Sequence, residues 1–268
     1  IVLGGGVDSI PSDLGMHLAL KALDVESGSA GSVALTGVYT EYTGSFSGGT
    51  LASGKARRAA LESGRLTREA MEDPYLLAPG TTKQPGEEAT SDGMPEDFRG
   101  ASDSRHGWLT PFFMGRVNAP VVRRSLALRG LADRVSYREC CSLAMWLRVG
   151  WVYTSRGFGY PLGEPINFRP KPGQGPPSGL IDQGGFTMEV MARASDGRTA
   201  IAEVRGKGDP GYGATSKMLG ETALCLARDG DLHPPSVGVV TPATALGDVL
   251  VKRLGAADGG RFMQLRVL

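Results

Sequence analysis

Two glycine-rich stretches have the residue types that hold phosphate. The first, IVLGGGVDSIPSDLG at 1–15, sets three apolar residues before three glycines and then a helix-forming run, the order found in a dinucleotide-binding turn. Gly4 and Gly6 match the first two positions of G-x-G-x-x-G, but Ser9 stands where the third glycine lets helix and strand pack closely. Pro11 also removes an N–H donor that would face a pyrophosphate. No acidic residue ends a second strand about 20 residues later, since Glu26 falls in a Gly/Ser turn. The second stretch, GTLASGKA at 49–56, fits G-x-x-x-x-G-K but ends on Ala56 where Ser or Thr would hold Mg²⁺. The segment GSFSG separates it from the preceding strand, and residues 50–56 have the character of a capped helix with Lys55 on its surface. Both stretches imitate nucleotide turns.

Other residues carry chemistry of a different kind. Asp8 and Ser9 precede a helix N-terminus, where they either cap the helix or receive a polar ligand group. Ser47, Gly48, Gly49 and Thr50 form another turn at a helix start, open to the same two meanings. Arg123 and Arg124, with Arg116, Arg129 and Arg134, make the one basic cluster: a solvated helix face, or a bidentate site for carboxylate or phosphate. In GDPGYG at 208–213 the glycines suit a tight turn, while Tyr212 and Lys217 are proton donors if a cleft joins them.

Composition limits the classes. With 268 residues and 41% apolar content the chain can bury a sizeable core. Its net charge of +1, from 29 basic and 28 acidic residues, argues against nucleic acid as the main partner. Cys140, Cys141 and Cys225 give no disulfide framework and no C-x-x-C, which suits a reducing, intracellular, cytoplasmic setting. His17, His106 and His233 lack metal-site spacing, so no metal is expected. No run of about 18 apolar residues occurs. Residue 1 is Ile and begins inside an apparent strand, without a signal peptide, so the chain reads as part of something longer.

The elements that must position these residues follow from pattern. A strand at 1–3 leads to a helix from Pro11 to Leu23, with Asp13 complementing the positive end of its dipole. Residues 32–43 alternate as a strand, helices cover Thr50 to Glu62 and Leu66 to Glu72, and 74–107 is a long surface loop. A helix is expected at 116–129 and a strand at 134–140. The very apolar CSLAMWLRVGWVY reads as a core helix, or as a surface that touches lipid. A Pro/Gly loop, FRPKPGQGPPSG, precedes two strands joined through SDGR as a hairpin. Then come the helix GATSKMLGETALCLA and a last helix with Thr241 as N-cap, Pro242 at its first position and Gly255 beyond its end. The chain closes on the strand RFMQLRVL.

Several of these stretches together resemble the saccharopine dehydrogenase-like oxidoreductases, including the trans-acting enoyl reductases. GVDSIPSDLG at 6–15 is similar to that family's C-G-[FY]-D-S-[IV]-P-[SA]-[DE]-L-G, and SGGT at 47–50 to its Ser-Gly-Gly-Thr turn. GWLTPFFMGRVNAPVVRRSLAL, GDPGYGATSKMLGETALCLA and GVVTPATALGDVLVKRL resemble further family segments in the same order. The chain departs from the family pattern at Gly5-Gly6-Val7, where a thiol and a ring are replaced.

The resemblance implies an α+β fold with a mixed, largely antiparallel sheet flanked by helices. Residues 1–28 would be a strand–helix unit adjoining a Rossmann half that lies ahead of this chain, and 29–268 an α+β substrate and dimerisation domain. It implies an NAD(P) cofactor held mainly by residues outside this chain, a small-molecule substrate, lipid-linked as the enoyl-reductase members suggest, a homodimer, and peripheral membrane or organellar placement as an alternative to the cytoplasm. The implied catalytic residues are Tyr212, Lys217 and Asp8, and the implied binding residues are Ser9, Ser12, Ser47, Gly48, Gly49, Thr50, Arg123, Arg124, Asp209 and Gly211. The alternative class is a non-catalytic scaffold or assembly subunit derived from that family.

Overall fold

A computed structural model describes residues 1–28, 30–44, 48–78, 80–81, 102–148, 171, 173–175, 178–232 and 237–268. Its centre is β1 (Val33–Thr43), whose inward residues Val33, Leu35 and Tyr39 are buried while Ala34 is exposed, the period-two signature of a sheet with one face on the core. β1 lies between β4 (Val135–Ser142), which runs parallel to it, and β5 (Gly185–Ala194), which runs antiparallel. β2 (Ser102–Asp103) and β3 (Gly107–Pro111) extend the sheet on one side. β6 (Thr199–Lys207) and β7 (Met263–Val267) extend it on the other. The order is β2-β3-β4-β1-β5-β6-β7 among the described residues, with β1–β4 the one parallel pairing between named strands. The fold is therefore mixed α and β with a mostly antiparallel sheet, as the sequence suggests. β2 falls within the segment expected to be loop, because its two residues pair with the start of β3.

Helices cover the core face. α1 (Ile10–Ala22) crosses β5 and β6 and is buried along most of its length. Gly15 permits this approach, since a Cβ there would come within 2.7 Å of the Val190 side chain. α2 (Gly48–Glu62) and the short α3 (Arg68–Glu72) follow β1, with the Thr67 side chain capping α3. α4 (Gly115–Leu128) packs on β4. α5 covers 143–148. Its described part is no core helix: Met145 is buried but Trp146 and Leu147 are half-exposed, because Cys141 and Ser142 still belong to the strand. The rest of that stretch, like most of the 74–107 loop and of FRPKPGQGPPSG, lies outside the described residues. α6 (Ser178–Gln183) precedes β5, and α7 (Gly213–Arg228) follows β6.

The last expected helix is two. α8 (Pro242–Ala245) stops at Leu246, and α9 (Gly247–Gly260) begins on a glycine with φ of 45°. Gly255 lies inside α9, whose helical dihedrals break at Ala257–Gly259. A long-range contact fixes where α8 begins: Asp13 of α1 holds its N-terminus, the carboxylate accepting the Ala243 N–H at 2.7 Å. Asp13 thus serves the dipole of α8 rather than that of its own helix alone. Residues 1–3 are strand-like and join 238–240 through a parallel bridge, with Leu3 N–H donating to Val240 O at 3.0 Å and Val240 N–H to Ile1 O at 2.8 Å. No described helix is long and apolar enough to cross a membrane.

Candidate functional site

Three glycine-rich turns that are far apart in sequence meet at one end of the sheet. The first runs through 4–9 into α1. Gly4 has a φ of 73°, and the Ser9 N–H returns to its carbonyl at 3.0 Å, closing the turn. The second leaves β1 at Gly44, where a Cβ would come within 2.5 Å of Asp209 Oδ1 and 2.6 Å of Pro210. The third, 208–213, turns β6 into α7 with Gly208 at a φ of 98°. Thr215 joins the first to the third, accepting the Val7 N–H at 2.9 Å and donating to Pro210 O at 2.8 Å. Gly6 faces the same residue so closely that a Cβ would lie 2.8 Å from Thr215 Cγ2. Thr215→Val keeps the shape and removes both bonds. It should lower stability by about 1–2 kcal/mol, read as a shifted urea midpoint with an unchanged m-value.

Asp8 is at the lip of this junction. Its side chain reaches solvent, yet enough protein surrounds it that desolvation raises its pKa above the usual aspartate value. The Asp8–Ser9 peptide is cis. Ser9 is fully buried, its backbone N–H is bonded to Gly4, and its hydroxyl has no partner among the described residues. Ser12, one turn further, is also fully buried and donates at 2.7 Å to Glu139 Oε2.

Glu139 is the residue that sequence reasoning missed. It is 1% exposed and accepts from Ser12, Tyr137 and Asn118, each at 2.7 Å. Three donors to one carboxylate offset the large penalty of burying it. Tyr39 lies over the same cluster, and its hydroxyl proton is held well above the ordinary tyrosine range by burial and then by the negative charge of Glu139. Tyr137 is raised in the same way and for the same first cause. A signal existed: in VSYRECCS the alternation puts Val135, Tyr137, Glu139 and Cys141 on one face, so a core-facing strand carries one acid. The neighbouring Cys141 thiol is pushed up to about 12 by burial.

A β-bulge adds an aromatic wall. Tyr39 pairs with Met188 and Glu41 with Thr187, leaving Thr40 as an extra residue. The slip brings Tyr39 and Tyr42 to one side, where they meet edge to face at 5.9 Å. Phe112 stacks on Tyr39 at 4.2 Å, and Phe113 stands edge-on to Tyr42 at 5.6 Å with half its surface in solvent.

The other expected site residues fall as follows. Asp209 is fully buried and accepts the Tyr212 N–H at 2.8 Å, so it builds the turn, while Gly211 and the Tyr212 side chain are exposed. Lys217 directs its ammonium to the Phe262 ring, 5.3 Å from the centroid. Gly48 is buried and its N–H is bonded to Gln174 O at 3.0 Å. Gly49 and Thr50 lie in the first turn of α2, and Ser47 is outside the described residues. Lys55 is exposed on α2, as expected of a helix and not of a phosphate loop. Arg123 and Arg124 stand away from the junction. Buried Arg123 donates to Tyr137 O at 2.8 Å and lies over the Tyr75 ring at 5.3 Å. Arg124 donates to Leu77 O at 2.7 Å and to Val239 O. Among the described residues no three His, Cys, Asp or Glu side chains gather as a metal site would require.

With this geometry in hand, comparison with known proteins is informative. A Mycobacterium tuberculosis protein, provisionally named a trans-acting enoyl reductase, is 34% identical over 275 residues, covering 96% of this chain and 65% of the relative. The trans-acting enoyl reductase of Mycobacterium ulcerans is 30% identical over 276 residues, with 95% and 65% covered. That of Mycobacterium bovis is 30% identical over 275 residues, with 96% and 65% covered. This chain is related to the trans-acting enoyl reductases. It spans about 65% of the length of the curated relatives it matches. No family model and no solved structure matches it.

Proposed function

We propose that this chain is the substrate-side portion of a saccharopine dehydrogenase-like, NAD(P)-dependent enoyl reductase. The observation that carries this reading is the meeting of the 4–9 turn, the end of β1 and the 208–215 turn, with Asp8 at its lip. Similarity to the enoyl reductases along nearly the whole chain supports it. The 4–11 turn does not itself fit the pyrophosphate of a dinucleotide. In the 4–11 turn the N–H groups of Val7, Ser9 and Ile10 are bonded internally and Pro11 has none, so none of these four can face a pyrophosphate. The nicotinamide would be held by residues other than these.

What these residues can do is receive and protonate. A desolvated Asp8 keeps its proton to higher pH than an ordinary aspartate and can deliver it to the α-carbon of an unsaturated thioester, as general acids do. Half-exposed Phe113 and the partly exposed Tyr42, backed by buried Phe112, offer an apolar surface for the chain of such a substrate. Arg123 and Arg124 have no part in this reading, because their donors serve main-chain carbonyls. The enoyl substrate follows the name of the relatives, while a homodimer and a peripheral membrane contact follow from the family resemblance.

The test uses the native full-length protein, an enoyl thioester and NADPH. Consumption of NADPH is expected, and Asp8→Asn should lower kcat on the order of 100-fold without lowering thermal stability, since desolvation makes the ionised carboxylate a cost to the fold. The absence of both saturable NADPH binding and turnover would overturn the reading and favour the scaffold alternative, for which the altered Gly5-Gly6-Val7 entry speaks.

A further inference from the structure

The sequence points to one basic cluster, at 116–134, and the structure commits most of it internally. Arg123 and Arg124 hold main-chain carbonyls, Arg134 donates to Val25 O at 2.9 Å, and Arg129 pairs with Glu26 at 2.6 Å. The outward positive charge sits elsewhere. Residues 52–68, on α2 and its turn into α3, carry Lys55, Arg57, Arg58, Arg65 and Arg68 against one acid, Glu62. All five basic residues are exposed. The recorded ion pair among them, Arg58–Glu62 at 3.8 Å, joins two highly exposed side chains and does little to neutralise the patch.

α2 has a second property that asks for a partner. Every residue from Ser53 to Ala59 is exposed, so solvent surrounds the helix through two full turns. Such a segment gains little from burial and forms on the propensity of its Ala, Lys and Arg residues. A helix that is polar all round and not packed on a core commonly bridges to another surface. Its position matters as well: α2 starts at Gly48, four residues after Gly44, which packs on Asp209 in the candidate site.

We propose that α2 and its turn into α3 form the docking surface for an acidic partner protein that presents the enoyl thioester to the Asp8 junction. This rests on the reductase reading above. A membrane is the poorer occupant, because the exposed run Ser53–Ala59 has no large apolar residue to insert. Nucleic acid is poorer too, in a chain with 29 basic and 28 acidic residues.

The experiment compares the full-length protein with a Lys55→Glu/Arg57→Glu/Arg58→Glu variant on two probes: an enoyl chain carried by a small acidic acyl carrier protein, and the same chain on N-acetylcysteamine. The charge reversal should lower kcat/KM for the protein-borne substrate roughly tenfold or more, and leave the small thioester unaffected. Fluorescence anisotropy of the labelled carrier should show the same loss of affinity, and added salt should erase the difference as screening shortens. A Lys55→Ala/Arg57→Ala/Arg58→Ala variant, which preserves helix propensity, should show an intermediate loss. Equal loss on both probes, or loss on neither, overturns the docking surface. So does a variant that loses affinity for a DNA duplex or phosphatidylglycerol vesicles while its carrier kinetics stay intact. A wild type that reduces the small thioester but not the protein-borne one overturns the docking proposal alone. A wild type that reduces neither overturns the reductase reading and this proposal with it.

Discussion

Glu139→Ala is expected to cost on the order of 3–5 kcal/mol, enough to leave a typical domain barely folded. The substitution removes one carboxylate but strands three donors, Ser12, Asn118 and Tyr137, which each give it a 2.7 Å bond in a fully closed environment. An unmade bond costs a buried donor about 1–3 kcal/mol, and the vacated volume adds a cavity term. Glu139→Gln should be milder, because the amide oxygen still accepts, but its NH₂ then faces donors instead of lone pairs. Equilibrium denaturation of the three proteins gives the ranking wild type, Gln, Ala. Indistinguishable midpoints for wild type and Ala would mean that the cluster contributes nothing to folding.

Asp13 should make stability fall as pH rises, the reverse of the usual carboxylate behaviour. Its carboxyl is fully buried, and desolvation raises its pKa from the ordinary 3.8 to about 6, against the opposing hydrogen bonds of Ser125 and Ala243. Between those two values the folded protein holds a proton that the unfolded chain has released. Stability therefore decreases with pH across that window. The shift of 3.8 to about 6 corresponds to about 3 kcal/mol, complete near pH 7. The clean measurement is the difference in unfolding free energy between wild type and Asp13→Asn from pH 3.5 to pH 7. It should move against wild type as pH rises, and a flat difference would show that Asp13 ionises as freely in the fold as outside it.

His17 acts in the opposite sense at a slightly higher pH. Burial lowers its pKa from 6.5, with Asp248 opposing at 2.9 Å. The folded protein binds that proton less well, so His17 contributes to a loss of stability as pH falls below 6.5.

Much of the element order is legible because local rules decide it. The alternation in 32–43, the SDGR hairpin, and Thr241 ahead of Pro242 act over a few residues, and β1, the β5–β6 pair and the α8 N-terminus are where those rules put them. The same rules fail where a distant group intervenes. The last helix looks continuous from capping signals, yet it breaks at Leu246–Gly247, next to a helix start anchored on a carboxylate 230 positions away in the chain. The arginine pair looks like a ligand site because guanidinium suits anions, but carbonyls of Tyr137, Leu77 and Val239 reach it first.

By itself the sequence determined what kind of chain this is: a mixed sheet with helices, glycine turns that imitate phosphate loops without their chemistry, and an enoyl-reductase-like pattern from end to end. Those are properties of composition, period and motif, which each residue carries with it. Only the tertiary structure decided which turns meet, that Ser12 points to Glu139 while Asp8 reaches solvent, and that α2 carries an exposed basic patch. The physical reason is that burial and hydrogen-bond partnership belong to pairs of residues. A serine in DSIPSD has the same hydroxyl whether a ligand or a buried glutamate receives it, and the packing of α1 across β5 and β6 and against α4 settles which.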